Sequence, residues 1–126
     1  QNLVDHFQLQ TTRVRIHRQL PGQEIPLHTD GNNTAVKDKN DYMIRSITAL
    51  TASKDFRYNF IDTEKKRRVQ WLKQGETIFF DPDLVAHGMS NESTTETRYA
   101  LVQIFKLYPV TAWARDFIST EKVVTI

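Results

Sequence analysis

Apolar and polar residues alternate with a period of two along most of this chain. TRVRIHRQL (12–20) alternates and is rich in β-branched residues, so it predicts a strand. Pro21-Gly22 turns the chain into QEIPLHTD (23–30), a second extended segment that Pro26 confines to a sheet edge or an irregular strand. GNNTAVKDKND (31–41) is polar, turn-rich and long enough for a functional loop. YMIRSITALTA (42–52) predicts a strongly apolar strand. DFRYNFIDT (55–63) and RRVQWLKQ (67–74) flank a charged tip and predict a hairpin. Gly75 interrupts the pattern before ETIFFD (76–81) resumes it. Asp81-Pro82-Asp83 then turns the chain into LVAHGMSN (84–91). A second polar loop, NESTTE (91–96), precedes TRYALVQIFKL (97–107). Only VTAWARDFISTE (110–121), after Pro109, carries apolar residues near helical spacing, and it predicts a short helix.

Eight or so short strands separated by turns predict an all-β fold: a small jelly roll, or double-stranded β-helix, the cupin-like architecture. A short C-terminal helix completes it. At 126 residues the chain is expected to form a single domain over 1–126, able to bury a core without covalent staples. It begins on Gln1 and not Met, which leaves room for upstream residues. Cysteine is absent, which excludes disulfides, thiolate metal sites and a cysteine nucleophile. That usage fits a reducing, cytoplasmic setting. No apolar run reaches the length of a membrane span, and no signal-peptide pattern opens the chain. A net charge of +2 gives no clear nucleic-acid signal. The basic run EKKRR (64–68) reads as a solvated hairpin tip.

The candidate chemistry lies in PLHTDGNN (26–33). Residues i and i+2 of a strand point to one face, so His28 and Asp30 can bind one ion side by side. His87, in a separate apolar strand, is the best third ligand. Two imidazoles and one carboxylate on one face of a metal leave three positions open, as in the facial triad of non-haem Fe(II) oxygenases. Each residue also has a plainer reading. His28 could be a loop histidine, Asp30 a turn initiator before Gly31, and His87 a hydrogen-bonded core histidine. His6 and His17 have no acidic partner at i+2 and read as structural or surface residues. Arg98 opens the most apolar strand, in phase with Ala100, Val102 and Ile104. Placed there it either grips a carboxylate ligand through its planar fork or reaches an acidic side chain or solvent.

This ordered set resembles the iron(II)/2-oxoglutarate-dependent oxygenases, and within them the aspartyl/asparaginyl β-hydroxylase branch, over residues 13 to about 108. RVRIHRQLPGQEIPLHTD is similar to that branch's first strand, turn and first ligand. IRSI (44–47) is similar to its central R-x-H strand, with Ile47 where the branch has His. WLKQGETIFFDPDLVAHGMSN and TRYALVQIF are similar to its second-histidine block and closing Arg strand. The resemblance implies Fe(II) held by His28, Asp30 and His87. It also implies 2-oxoglutarate held at its distal carboxylate by Arg98 and at its other end by Arg45. Animal members have Gly where this chain has Asp30, so the triad here is the fuller one.

The implied activity is hydroxylation of a substrate C–H bond with release of succinate and CO2. The substrate is left open among a peptidyl side chain, an amino acid and a small metabolite. A homo-oligomer or partner subunit completing the pocket also stays open, with loops 31–41 and 91–96 expected to shape its opening. Two rivals are a cupin-type metalloenzyme without 2-oxoglutarate and a non-catalytic jelly-roll binding module.

Overall fold

The computed structural model describes residues 9–30, 42–62, 64–107 and 121–124. Nine strands lie among them: β1 (Leu9–Gln19), β2 (Glu24–His28), β3 (Tyr42–Ala49), β4 (Phe56–Ile61), β5 (Arg67–Gln70), β6 (Thr77–Phe80), β7 (Ala86–Asn91), β8 (Arg98–Leu107) and β9 (Lys122–Val124). They form a five-stranded sheet in the order β1-β8-β3-β6-β9 and a four-stranded sheet in the order β2-β7-β4-β5. Every paired strand is antiparallel. With β1, β8, β3 and β6 in one sheet facing β2, β7, β4 and β5 in the other, this is the expected jelly roll. The predicted strands all form. β9 was not foreseen, because three residues are too few for alternation to stand out. The expected helix over 110–121 lies, apart from Glu121, outside the described residues, as does loop 31–41. Among the described residues no helix is long and apolar enough to cross a membrane.

Strand alternation builds the core directly. In β4 Phe56, Tyr58 and Phe60 are buried, while Arg57, Asn59 and Ile61 are partly exposed. Phe60 meets Phe80 of the other sheet edge-to-face, with ring centroids 5.2 Å apart. Ile47, Ile78, Met89 and Val102 fill the space around them. Burying each such side chain contributes roughly 1.5–3 kcal/mol. Turns follow local chemistry. Gly22 has φ +80°, which suits the third position of the Pro21-Gly22 turn closed by Gln23 N–H to Leu20 O at 3.0 Å. At the β4–β5 tip, Asp62 Oδ1 accepts the N–H groups of Glu64 and Lys66 at 2.9 and 3.0 Å. Residues 64–68 are exposed, as expected of a solvated tip.

Arg98 fastens the two sheets at one end. Its side chain is fully buried. Nη1 donates to Gln19 Oε1 and to Ser90 O, both at 3.1 Å, and Nη2 donates to Arg57 O at 2.9 Å. The guanidinium also lies 4.0 Å from the ring centre of Tyr58. Its partners are therefore amide and carbonyl oxygens and an aromatic face. Nearby, Asn91 organises residues 91–96: Nδ2 donates to Gln19 O and Glu96 O at 3.0 and 2.8 Å, and Oδ1 accepts from Ser93 N–H.

Arg98→Leu removes three charge-assisted bonds and strands buried carbonyls. We expect a stability loss of about 2–5 kcal/mol, read as a lower urea midpoint. An unchanged midpoint would contradict the clamp.

Candidate metal centre

β2 pairs with β7, but not evenly. Ile25 lies opposite Met89, and His28 lies opposite His87. Three steps on β2 thus match two on β7, so β2 carries a bulge over Pro26 and Leu27. In an unbroken strand, residues 25 and 28 would face opposite sides. The bulge turns both inward, and both line the same cavity. Pro26 suits this place, since it has no N–H to lend to a ladder. Gly88 makes the bulge sterically feasible. A Cβ at Gly88 would sit 2.5 Å from Ile25 O and 3.0 Å from Leu27 N.

Asp30 lies beyond the end of β2 and is placed differently. Its N–H donates to Pro82 O at 2.9 Å, which ties it to the β6–β7 turn. Simple i, i+2 alternation along one strand is therefore not what unites His28 with Asp30. A bulge and a turn contact do it.

Backbone carbonyls fix both rings. His28 Nδ1 donates to Pro26 O at 2.8 Å, and His87 Nδ1 donates to Val85 O at 2.9 Å. A carbonyl can only accept, so each neutral ring carries its proton on Nδ1 and turns the Nε2 lone pair to the site. His87 Nε2 is 3.3 Å from Asp30 Oδ1, and His28 Nε2 is 3.5 Å from it. The three candidate ligand atoms all lie within 4.8 Å of one another. Ligands about 2.1 Å from an ion and at right angles stand about 3 Å apart, so the group fits one ion. His87 is buried, Asp30 nearly so, and His28 is 43% exposed at the rim. Burial alone would raise the Asp30 pKa. Contact with His87, the Arg45 charge and His28 outweigh it and hold the carboxyl below its ordinary range.

Arg45, from β3, reaches the same group. Nη2 donates to Asp30 Oδ2 at 2.6 Å and Nη1 to His87 Nε2 at 3.0 Å. An ion and Nη1 cannot share the one Nε2 lone pair, so metal binding must shift Arg45 away from His87. Arg45 Nε is buried without a hydrogen-bond partner. A buried orphan donor on a cavity wall marks where a ligand oxygen fits. Ile47, two residues on, is buried in the wall, where the resembled family has a histidine.

The cavity beside the triad measures about 550 Å³. His28, Asp30, His87 and Arg45 line it, as do Val102 and Ile104. Arg98 is not among its lining residues, nor is any residue from 92 to 96. The structure brings four of the five expected site residues together and leaves Arg98 in the sheet clamp. Phase along β8 was legible; depth along it was not. Arg13, Arg15 and His17 line the cavity, although the sequence reads His17 as a structural or surface residue. Their signal was a basic residue at every second position of one strand. Burial, with the Arg15 and Arg45 charges, pushes the His17 pKa down, so this imidazole is neutral near pH 7.

No family model matches the chain. No curated protein matches it. Among solved structures it is similar to an RmlC-like cupin protein from Desulfovibrio desulfuricans, at 17% identity over 78% of this chain and 80% of that one, with a TM-score of 0.42.

Gly88→Ala forces Ile25–Leu27 outward and drags His28 from His87. Mn(II) affinity, measured by titration, should fall by at least about tenfold, an out-of-place ligand costing 1.4 kcal/mol or more. Unchanged affinity would refute the role of the bulge. A second expectation concerns pH. Because the folded-state pKa of Asp30 is depressed, its stabilisation is present above the unfolded value and lost as pH falls through the folded one. In chelator, Asp30→Asn should be less stable than wild type at neutral pH. The gap should close on acidification, and a gap constant with pH would contradict it.

Proposed function

We propose that this protein is a mononuclear metal enzyme of the Fe(II)/2-oxoglutarate type that hydroxylates a substrate C–H bond. The observation that carries the reading is the convergence of His28 Nε2, His87 Nε2 and an Asp30 carboxylate oxygen on one point, with both ring tautomers set by backbone carbonyls. Two neutral imidazoles and a carboxylate form a borderline donor set that suits Fe(II) and leaves three coordination positions for ligands. Fe(II) and 2-oxoglutarate, when bound, supply the chemistry: O2 is consumed, CO2 and succinate leave, and one oxygen atom enters the substrate C–H bond.

The chain's own residues bind, orient and exclude water. His28, Asp30 and His87 hold the ion. Arg45 is the group for a cosubstrate carboxylate, because its unpartnered Nε–H and the second Nη2–H lie along one edge and form a planar fork. Ile47, Phe60, Val102 and Ile104 line the apolar side of the cavity and keep that charge pair partly dry.

A cupin-type metalloenzyme without 2-oxoglutarate is the second reading, and one observation favours it. Arg98, which the family resemblance assigns to the distal carboxylate, spends its donors on Gln19, Ser90 and Arg57 and does not line the cavity.

Calorimetric titration of 2-oxoglutarate into the Mn(II)-loaded protein separates the two. Saturable binding is expected, weakened about 30-fold or more by Arg45→Ala, the usual cost of truncating one partner of a buried charge pair. With Fe(II) and O2 the wild type should form succinate and His87→Ala none. A protein that holds Mn(II) but binds no 2-oxoglutarate belongs to the second reading. One that retains no metal is a binding module.

A further inference from the structure

β1 sets three basic residues against the metal group. Arg13, Arg15 and His17 occupy alternate positions and line the cavity, while Val14 and Ile16 between them are exposed on the opposite face. The register confirms the side. Arg13, Arg15 and His17 lie opposite Ile104, Val102 and Ala100, and the first two of these partners also line the cavity. Arg45 completes the wall. Burial pulls the Arg45 pKa down, the Asp30 charge opposes that, and repulsion from Arg15 and Arg13 adds to it.

Among the described residues, three guanidinium charges line this cavity against the two carboxylates of Asp30 and Asp83. A divalent ion in the triad would leave the cavity three charges positive. A cosubstrate with two carboxylates would still leave one. Like charges gathered around a partly dry cavity are unfavourable unless an anion joins them. With Arg45 given to the cosubstrate, the residual positive charge belongs to the β1 pair at the exposed rim.

We propose that Arg13 and Arg15 form a second anion site, which binds an oxyanion group (carboxylate or phosphate) carried by the substrate of the metal centre. The inference rests on the proposed function only for calling that anion a substrate; the site itself requires neither metal nor 2-oxoglutarate. Two arginines two residues apart on one strand face present adjacent planar forks, which recognise such groups bidentately. Being exposed, they also draw an anion toward the cavity in a salt-dependent way.

The test uses the full chain, with and without Zn(II), and follows the arginine Nε–H signals by NMR while N-acetylglutamate or inorganic phosphate is added. The expected result is saturable binding of at least one probe, in both the zinc and zinc-free samples, that shifts the Arg13 and Arg15 signals and weakens as salt is raised. The probe that binds more tightly identifies the oxyanion. Arg13→Gln/Arg15→Gln, a change confined to exposed side chains, should lose about tenfold or more in affinity for that probe and should not lose Zn(II) affinity. Binding that persists in a protein found inactive toward 2-oxoglutarate supports the anion site and removes only the oxygenase reading. If neither probe shifts these signals saturably, or if the double variant binds as tightly as wild type, the arginines merely guard an edge strand and the proposal falls.

Discussion

Between Ile25 and His28 the edge strand β2 advances three residues while β7 advances two, and the meeting of the two imidazoles depends on that mismatch. It places the His28 ring 4.5 Å from the His87 ring, centroid to centroid. The mismatch is possible because Gly88 leaves no Cβ where Ile25 O must lie. It also brings Pro26 O within 2.8 Å of His28 Nδ1, so the kink that aims the ring also sets its tautomer. His87 repeats the device with Val85 O, just before the facing strand β7. Two imidazoles are thus held by the backbone of the elements that carry them, which is how a rigid ligand set is obtained without a large support shell.

Charge organises the rest. Asp30 faces two ways, with Oδ1 toward the two imidazoles and Oδ2 on the Arg45 guanidinium. Arg45 bonds two members of the cluster and lines the same cavity as the β1 arginines. Arg98 belongs to a different system. Its carbonyl partners come from the four-stranded sheet while the residue itself sits in the five-stranded one. The buried charge therefore serves cohesion between sheets.

Much of this was legible in the order of residues, because strand alternation is local. The Phe56, Tyr58, Phe60 face, the Pro21-Gly22 turn, the charged tip after Ile61 and the edge position of β2 all follow from nearby residue types. The identity of the triad was legible too, as H-x-D followed by a distant His. The reason it converges was not. A bulge depends on a glycine sixty residues away in the chain, and the Asp30 anchor depends on a carbonyl in another turn. Neither leaves a periodic trace. Arg98 shows the converse limit: its phase was correct, yet phase cannot say whether a side chain meets the cavity or the sheet seam. Arg13, Arg15 and His17 did leave a trace, but alternating basic residues on an edge strand read equally as solvent-facing until the fold shows which side is inside.

The central claim is that His28, Asp30 and His87 hold one ion. It is tested most directly by anomalous diffraction from crystals soaked in Mn(II). The account predicts a single strong peak bonded to Nε2 of both histidines and to an Asp30 carboxylate oxygen, at roughly 2.0–2.2 Å, with Arg45 turned off His87. A peak bonded through Nδ1, one lying away from these three residues, or none at saturating metal would contradict it.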